Sequence, residues 1–418
     1  MSRSIQPGFS GQLDLTPSIS SVSVNLYNAA TAQTPTGNLM VSPLSIMYCT
    51  MLVFLGAKGK TRNNLYTALD FNKAARNGQA ANDAIVDAFS NLMNHMKMSS
   101  VANNSVTSGK HVEMWKQSGD PMQLTLANGV FIRSGLNLNT RYATTVSSKL
   151  KATIQEKNFK TNSEGARRDI NRWVENNTAG KIKHLLPPGA VTKDTQGVMA
   201  NAIYFKASWD SAFEESNTFN SKFTLLNGRT VSVKMMRQTT KWRYATDDRL
   251  DIQYLEIPYM DDEASMLVFL PRKKAGLRVL ERELTAQMIN DLSSRSRNTK
   301  VNLQLPKFKV ESQFDLKALL EKLGVKDLFT DGSDLSGIVS QGPGLKISQG
   351  FHKTFIEVDE KGTEAAGASA VMMVETLSAI FPPRVELPID FIADHPFMYA
   401  IRHNPSKAIL FIGRHESF

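Results

Sequence analysis

Between Glu360 and Ala370 the chain reads Glu-Lys-Gly-Thr-Glu-Ala-Ala-Gly-Ala-Ser-Ala, eleven residues without one large apolar side chain. Such a run cannot seed a core. Alanine favours helix, yet no apolar stripe at i, i+3 and i+4 gives a helix a face to bury. At the two-residue period of a strand, Thr363, Ala365, Gly367, Ser369 and Val371 share one face. All are small enough to slide beneath other elements. The stretch predicts a strand that waits outside any sheet. No proline interrupts residues 362–380, where one would delete a ladder donor.

Elsewhere the chain carries conventional signals. Ser42-Pro43 reads as an N-cap followed by proline at the first helical position, opening an apolar helix that runs to about Leu55 and stops at Gly56. Gly197 to Lys206, Met266 to Leu270, Val301 to Leu305, Leu345 to Ser348, Thr354 to Val358 and Ala408 to Ile412 predict strands, as does Leu124 to Ile132. Residues 97–122 are polar and without period, a surface insertion between a helix and that last strand. Helical patterns dominate the first half, so the fold class is α+β. No Pro/Gly/Ser linker, internal repeat or heptad marks a boundary, and residues 1–418 predict a single domain.

Cys49 is the only cysteine, in an apolar segment, and predicts a buried and idle thiol. Zinc fingers and Cys-x-x-Cys redox motifs are thereby excluded. No nucleophile elbow, His-Glu-x-x-His helix or phosphate-binding loop occurs, and the seven histidines form no i, i+4 pair. The expectation is a protein that is not an enzyme and holds no metal. Its start, Met1-Ser-Arg-Ser-Ile-Gln-Pro-Gly, lacks an apolar leader, and no run of 18 apolar residues is present. That reads as a monomer without a membrane span, cytoplasmic or released without a conventional leader, with extracellular action left open. The net charge of +10 raises the question of a polyanion. The densest basic stretch, Arg272, Lys273, Lys274 and Arg278 with Arg282, Arg295, Arg297 and Lys300, has no interleaved aromatic residue, so a sulfated polysaccharide (glycosaminoglycan) is the expected ligand class rather than nucleic acid.

Several segments then occur in a telling order. They are Asn38-Leu-Met-Val-Ser-Pro-Leu-Ser45, Asn171-Arg-Trp-Val174, Asn201-Ala-Ile-Tyr-Phe-Lys206 with Trp209, Leu305-Pro-Lys-Phe308, Phe351 to Asp359, His395 to Tyr399 and Ile409 to Arg414. Together they resemble the serpin family of serine protease inhibitors along nearly the whole chain. The resemblance implies three sheets, about nine helices and an exposed reactive loop, with hinge and loop over residues 360–386. It implies a hinge of Glu360, Gly362, Thr363, Ala365, Ala366, Gly367, Ala368 and Ser369. Ser42, Ser45, Asn201 and His352 match the shutter beneath the strands that must part. Trp209, Lys307 and Glu360 match the breach where the arm first enters. The implied activity is suicide inhibition, in which a protease cuts the loop, stays attached as an acyl-enzyme and is dragged away as the freed arm joins the main sheet. The alternative is a non-inhibitory serpin acting as carrier, chaperone or glycosaminoglycan-binding protein.

The resemblance implies a reactive bond sixteen positions on from Glu360, after Thr376 and before Leu377. Cleavage at Thr376 suits an elastase-like pocket, Leu377 or Phe381 a chymotrypsin-like one, and Arg384 a trypsin-like one. Twenty residues separate Thr376 from Phe397, a longer span than the family usually has. At ~3.3 Å per residue an arm of sixteen spans about 53 Å, and one ending at Arg384 carries about 26 Å of slack. Pro382 and Pro383 also precede Arg384. Thr376 or Leu377 is therefore the expected inhibitory site, and an elastase- or chymotrypsin-like enzyme the expected partner.

Overall fold

A helix that is apolar on every side has to be buried on every side, and the segment after Ser42 becomes the centre of the molecule. The computed structural model describes residues 13–74, 82–96, 122–340, 344–363 and 387–418. In it α1 (Thr16–Gln33) and α2 (Pro43–Gly56) flank β1 (Leu39–Val41), followed by α3 (Gly59–Ala68), α4 (Phe71–Ala74) and α5 (Asn82–His95). The Ser42 hydroxyl accepts from the Ser45 N–H, so the cap forms as the sequence predicts. Every residue of α2 except Leu55 is buried. The helix packs between α1, β15 (Ile409–His415) and the strands β2 (Met122–Arg133) and β4 (Gly197–Ser208). Cys49 is fully buried there, and burial pushes its thiol up, so it stays protonated.

Six strands form the sheet above α2, in the order β10 (Phe308–Asp315), β11 (Gln349–Asp359), β12 (Gly362–Thr363), β4, β2 and β3 (Thr153–Lys157). Helices α6 (Thr140–Lys149) and α7 (Phe159–Asn177) belong to this half. A second apolar cluster, including Phe159, Ile170 and Val174 of α7 with Val198, Ala200, Ala202 and Tyr204 of β4, covers the face opposite α2. The middle of this sheet is thus covered on both sides, which is why β4 reads as an almost unbroken apolar run.

The second sheet has nine strands. Its path runs β1, β15, β14 (Phe397–His403), β8 (Ala264–Pro271), β7 (Ile252–Pro258), β6 (Thr230–Asp247), β9 (Arg297–Pro306) and β13 (Ile389–Ile392), with β5 (Phe219–Thr224) beside β6. The 18-residue β6 pairs β5 at its start, β9 along its middle and β7 at its end. It therefore joins into one ladder what the resemblance counts as two further sheets. Helices α8 (Leu277–Glu283), α9 (Ala286–Arg295) and α10 (Leu316–Lys322) complete ten α-helices among the described residues.

Two expectations shift. Met122, assigned to the insertion, already pairs with Ala207 at the start of β2; residues 97–121 lie outside the described ones. Leu345–Ser348 is not a ladder strand. Leu345 and Ile347 are buried, but the segment is held by scattered bonds and not by a ladder: Ile347 N–H to the Leu328 carbonyl (3.2 Å), Ser348 N–H to the Gly197 carbonyl (2.8 Å), Lys346 N–H to the Gln196 side-chain carbonyl, and Gln196 N–H to Ser348 Oγ. Alternation there records burial, not pairing.

Candidate functional site

Strands β4 and β11 are parallel neighbours from Val198 opposite Gln349 to Tyr204 opposite Phe355, and beyond that point they part. The gap is filled by two residues. Gly362 lies opposite Asp359 on one side and Ser208 on the other; Thr363 lies opposite Val358 and Ala207. The turn that delivers them is fixed by Asp359, whose Oδ1 accepts from the N–H groups of Lys361 (2.9 Å) and Gly362 (3.2 Å). Gly362 has φ of +151°, and a Cβ there would sit 2.1 Å from the Ala207 carbonyl oxygen. Only glycine fits so close to the neighbouring backbone. Thr363 is fully buried, its hydroxyl 2.7 Å from that of Tyr259.

Glu360, Lys307 and Trp209, expected together at the breach, meet beside this wedge. Lys307 Nζ lies 2.7 Å from Glu360 Oε2, and Thr218 donates to Oε1 at 2.8 Å. Burial pushes the Glu360 carboxyl up, but its bonds to Lys307, to a main-chain N–H and to Thr218 outweigh this and hold it below the usual carboxylate value. Trp209 stacks on Tyr259 at 4.5 Å and donates from Nε1 to the Asp359 carbonyl at 2.9 Å. A cleft of about 410 Å³ opens next to the pair, lined by Glu215, Thr218, Lys234, Lys307, Asp359, Glu360 and Lys361.

Lower in the sheet the shutter residues also converge. Asn201 of β4 and His352 of β11 are directly opposite. The imidazole Nδ1 and Asn201 Oδ1 are in contact, while Ser42 N–H, at the start of α2, donates to Nε2 at 3.1 Å. An acceptor at Nε2 places the ring proton on Nδ1, facing Asn201. Asn201 Nδ2 donates to Ser45 Oγ (2.7 Å) and to the Ser45 carbonyl (2.8 Å), and it also contacts Asn128 Oδ1. The Ser42 hydroxyl donates to the Leu410 carbonyl at 2.6 Å. The network thus crosses β2, β4 and β11 and is anchored on α2. Its His352–Asn201 bond is the one that must break if β4 and β11 separate.

Burial lowers the His352 pKa to about 3, and that of His415 to about 3 as well. A base depressed in the folded state makes the unfolded chain the better proton binder between pH 6.5 and 3, so stability is greatest above 6.5 and falls as pH drops through that window. Each group contributes a slope of up to about 1.4 kcal/mol per pH unit. The urea midpoint is expected to fall between pH 7.5 and 5, above the range in which most carboxylates titrate; a midpoint that stays put would contradict neutral, buried imidazoles.

Four residues escaped the sequence reading. Asn128 sits at the centre of the apolar β2 opposite Asn201, and a polar side chain inside an apolar strand was its signal. Thr218 and Tyr259 come from loops, and nothing local marks them. Lys353, buried in β11, bonds Glu311 at 2.6 Å and the Lys183 carbonyl at 2.9 Å, tying that strand to β10 and to the chain beyond α7. Hinge residues Ala365, Ala366, Gly367, Ala368 and Ser369, and the bond candidates Thr376, Leu377, Phe381 and Arg384, lie outside the described residues. The four cations that open the basic stretch prove to be ion-paired. Arg272 faces Asp248 (3.2 Å) and Asp251 (3.8 Å), Lys273 faces Asp251 (3.8 Å), Lys274 faces Asp394 (3.4 Å), and Arg278 faces Glu281 (2.6 Å) and Glu416 (2.8 Å).

Known proteins share this architecture. Uncleaved ovalbumin superimposes with a TM-score of 0.81 at 26% identity, over 98% of this chain and 100% of its own. Native protease nexin-1 crystallised with heparin gives 0.79 at 26% identity, over 97% and 99%. A leukocyte elastase inhibitor of Xenopus laevis is 35% identical over 94% of this chain and 96% of its own length. The family model described as Serpin (serine protease inhibitor) matches residues 17–417, and the chain belongs to that family.

Proposed function

We propose that this serpin inhibits an elastase- or chymotrypsin-like serine protease as a covalent acyl-enzyme, trapped when the cleaved loop inserts between β4 and β11. The protease serine oxygen attacks the Thr376 carbonyl, an ester forms, and the peptide bond to Leu377 breaks with its nitrogen leaving as the new amine.

The register of the wedge supports the reading. Thr363 is antiparallel to both flanking strands, and continuing that register carries Ala365 between Phe205 and Ile356, Gly367 between Ile203 and Thr354, and Ser369 between Asn201 and His352. A serine would therefore arrive where the His352–Asn201 bond is lost, offering a donor and an acceptor to the two groups it separates. Ala366, Ala368 and Ala370 would occupy the other face, beneath the cluster that includes Tyr204, Ala202 and Ala200. Both faces of the slot are covered, which accounts for small residues at every position from Ala365 to Ala370 and not merely at alternate ones. β11 begins at Gln349 and β4 at Gly197, so the ladder would end near residues 372–373. Thr376 lies three residues past that end, whereas Arg384 lies eleven past it, roughly 36 Å of untensioned chain. Each new ladder bond contributes a net ~0.5–1.5 kcal/mol.

Mixing the purified protein with elastase, chymotrypsin and trypsin tests this directly. A denaturant-resistant adduct with one of the first two, and a released C-terminal peptide whose mass starts at Leu377 or the next residue, is the expected result. Cleavage without an adduct by all three would favour the carrier reading, and a trypsin adduct at Arg384 would overturn the choice of bond.

A further inference from the structure

The cleft beside the Glu360–Lys307 pair is lined by charged side chains and one hydroxyl, without an apolar side chain. Its volume of about 410 Å³ falls in the ~300–1,000 Å³ range of small-ligand sites, yet a guest there is recognised by charge and not by apolar burial. Two walls meet in it. Asp359, Glu360 and Lys361 come from the turn after β11, whereas Glu215 and Thr218 precede β5 and Lys234 belongs to β6. Three ammonium groups face three carboxylates, so a polyanion meets as much repulsion as attraction. Four of these six charges are matched, Lys307 with Glu360 at 2.7 Å and Lys361 with Glu215 at 3.8 Å. Lys234 and Asp359 are left over. Among the described residues the Lys234 side chain makes no ion pair or hydrogen bond, although its carbonyl accepts from the Lys307 N–H at 2.8 Å. Asp359 uses Oδ1 on the N–H groups of Lys361 and Gly362, and its Oδ2 has no partner among the described residues. One cation on the second sheet and one anion on the first thus share a cleft without pairing with each other.

We propose that this cleft binds a small zwitterion, an amino acid or short peptide whose carboxylate meets Lys234 and whose ammonium meets Asp359 Oδ2. A lone anion or a lone cation satisfies one of the two groups and leaves the other. Charge-assisted hydrogen bonds at both ends are of the strong kind. The Thr218 oxygen, whose proton goes to Glu360, accepts a further ammonium hydrogen. Such a guest ties β6 to the turn that seats Gly362 and Thr363, and so braces the breach in its closed form. Its effect on the trap rests on the insertion reading above, whereas binding is measured on the intact protein without protease, so the two tests fail separately.

Melting temperature measured with millimolar glycine, 4-aminobutyrate, 6-aminohexanoate and triglycine, at constant ionic strength, tests the assignment. A saturable rise is expected that is largest at one charge separation, with triglycine telling a peptide source from a free amino acid. Acetate and methylammonium, with one charge each, should give none. Lys234→Gln, at an exposed position, and Asp359→Asn, which keeps the Oδ1 acceptor for the turn, should each weaken binding at least about tenfold; the first serves if the second does not fold. Because the opened sheet loses the site, oligomers on native gels after mild heating should form about tenfold more slowly at ten times the Kd. No rise with any zwitterion, an equal rise with acetate or methylammonium, an unchanged response in a folded variant, or bound ligand without slower oligomer formation would each overturn the proposal.

Discussion

Replacing Thr363 by arginine is expected to turn the inhibitor into a substrate. Thr363 is fully buried between Ala207 and Val358, with its hydroxyl on Tyr259. A guanidinium there has no carboxylate to meet, and an uncompensated buried charge costs several kcal/mol. Insertion is in competition with hydrolysis of the acyl bond, and every ~1.4 kcal/mol added to the insertion barrier shifts that competition tenfold. The stoichiometry of inhibition against the protease that forms the adduct should rise at least about tenfold, with the loop still cut. Thr363→Val, which keeps the shape and loses only the hydroxyl, should remain close to the parent. Parental stoichiometry in the arginine variant would mean that the arm does not enter through this position.

The second large effect is expected from Glu360→Lys. The change sets one ammonium against another where a 2.7 Å ion pair stood and removes the acceptor used by Thr218. Lys307 is 39% exposed and Glu360 side chain 8%, so the loss lies between the ~0–1 kcal/mol of a surface pair and the ~3–5 kcal/mol of a fully buried one. What it loosens is the turn that seats Gly362 and Thr363, and a slot without its wedge accepts other strands. Native gels after mild heating should show monomer giving way to oligomers or to a self-inserted form. Adding Lys307→Glu restores an opposed pair and should restore the monomer. A heated Glu360→Lys sample that stays monomeric would show that the pair does not hold the top of the sheet closed.

Much of this was written in local signals. Ser42, Pro43 and Gly56 bracket α2 because caps and breakers act within one turn, and the apolar run of β4 announces a strand covered on both faces. The small-residue hinge is legible for the same reason, since side-chain size is a local property. What was illegible depends on register. Asn128 becomes part of the shutter only once β2 is set beside β4, and Tyr259 reaches Thr363 across more than a hundred residues. The basic stretch misled in the opposite direction: sequence counts Arg272 to Arg278 as neighbours but does not show Asp248, Asp394 and Glu416 arriving to neutralise them.

The two-residue strand β12 also bears on kinetics. Beginning a new strand inside a closed sheet is the costly step, because chain ends must be brought together before any bond rewards them. Here Gly362 and Thr363 are already seated, so that nucleus exists before any protease arrives. Growth then resembles a zipper drawn in one direction, each step exchanging one parallel β4–β11 contact for two antiparallel ones. The first contact to yield is the Tyr204–Phe355 pair, with ring centroids 6.4 Å apart. In the proposed trap, speed would accordingly be set at the mouth of the sheet, by how readily those two rings come apart.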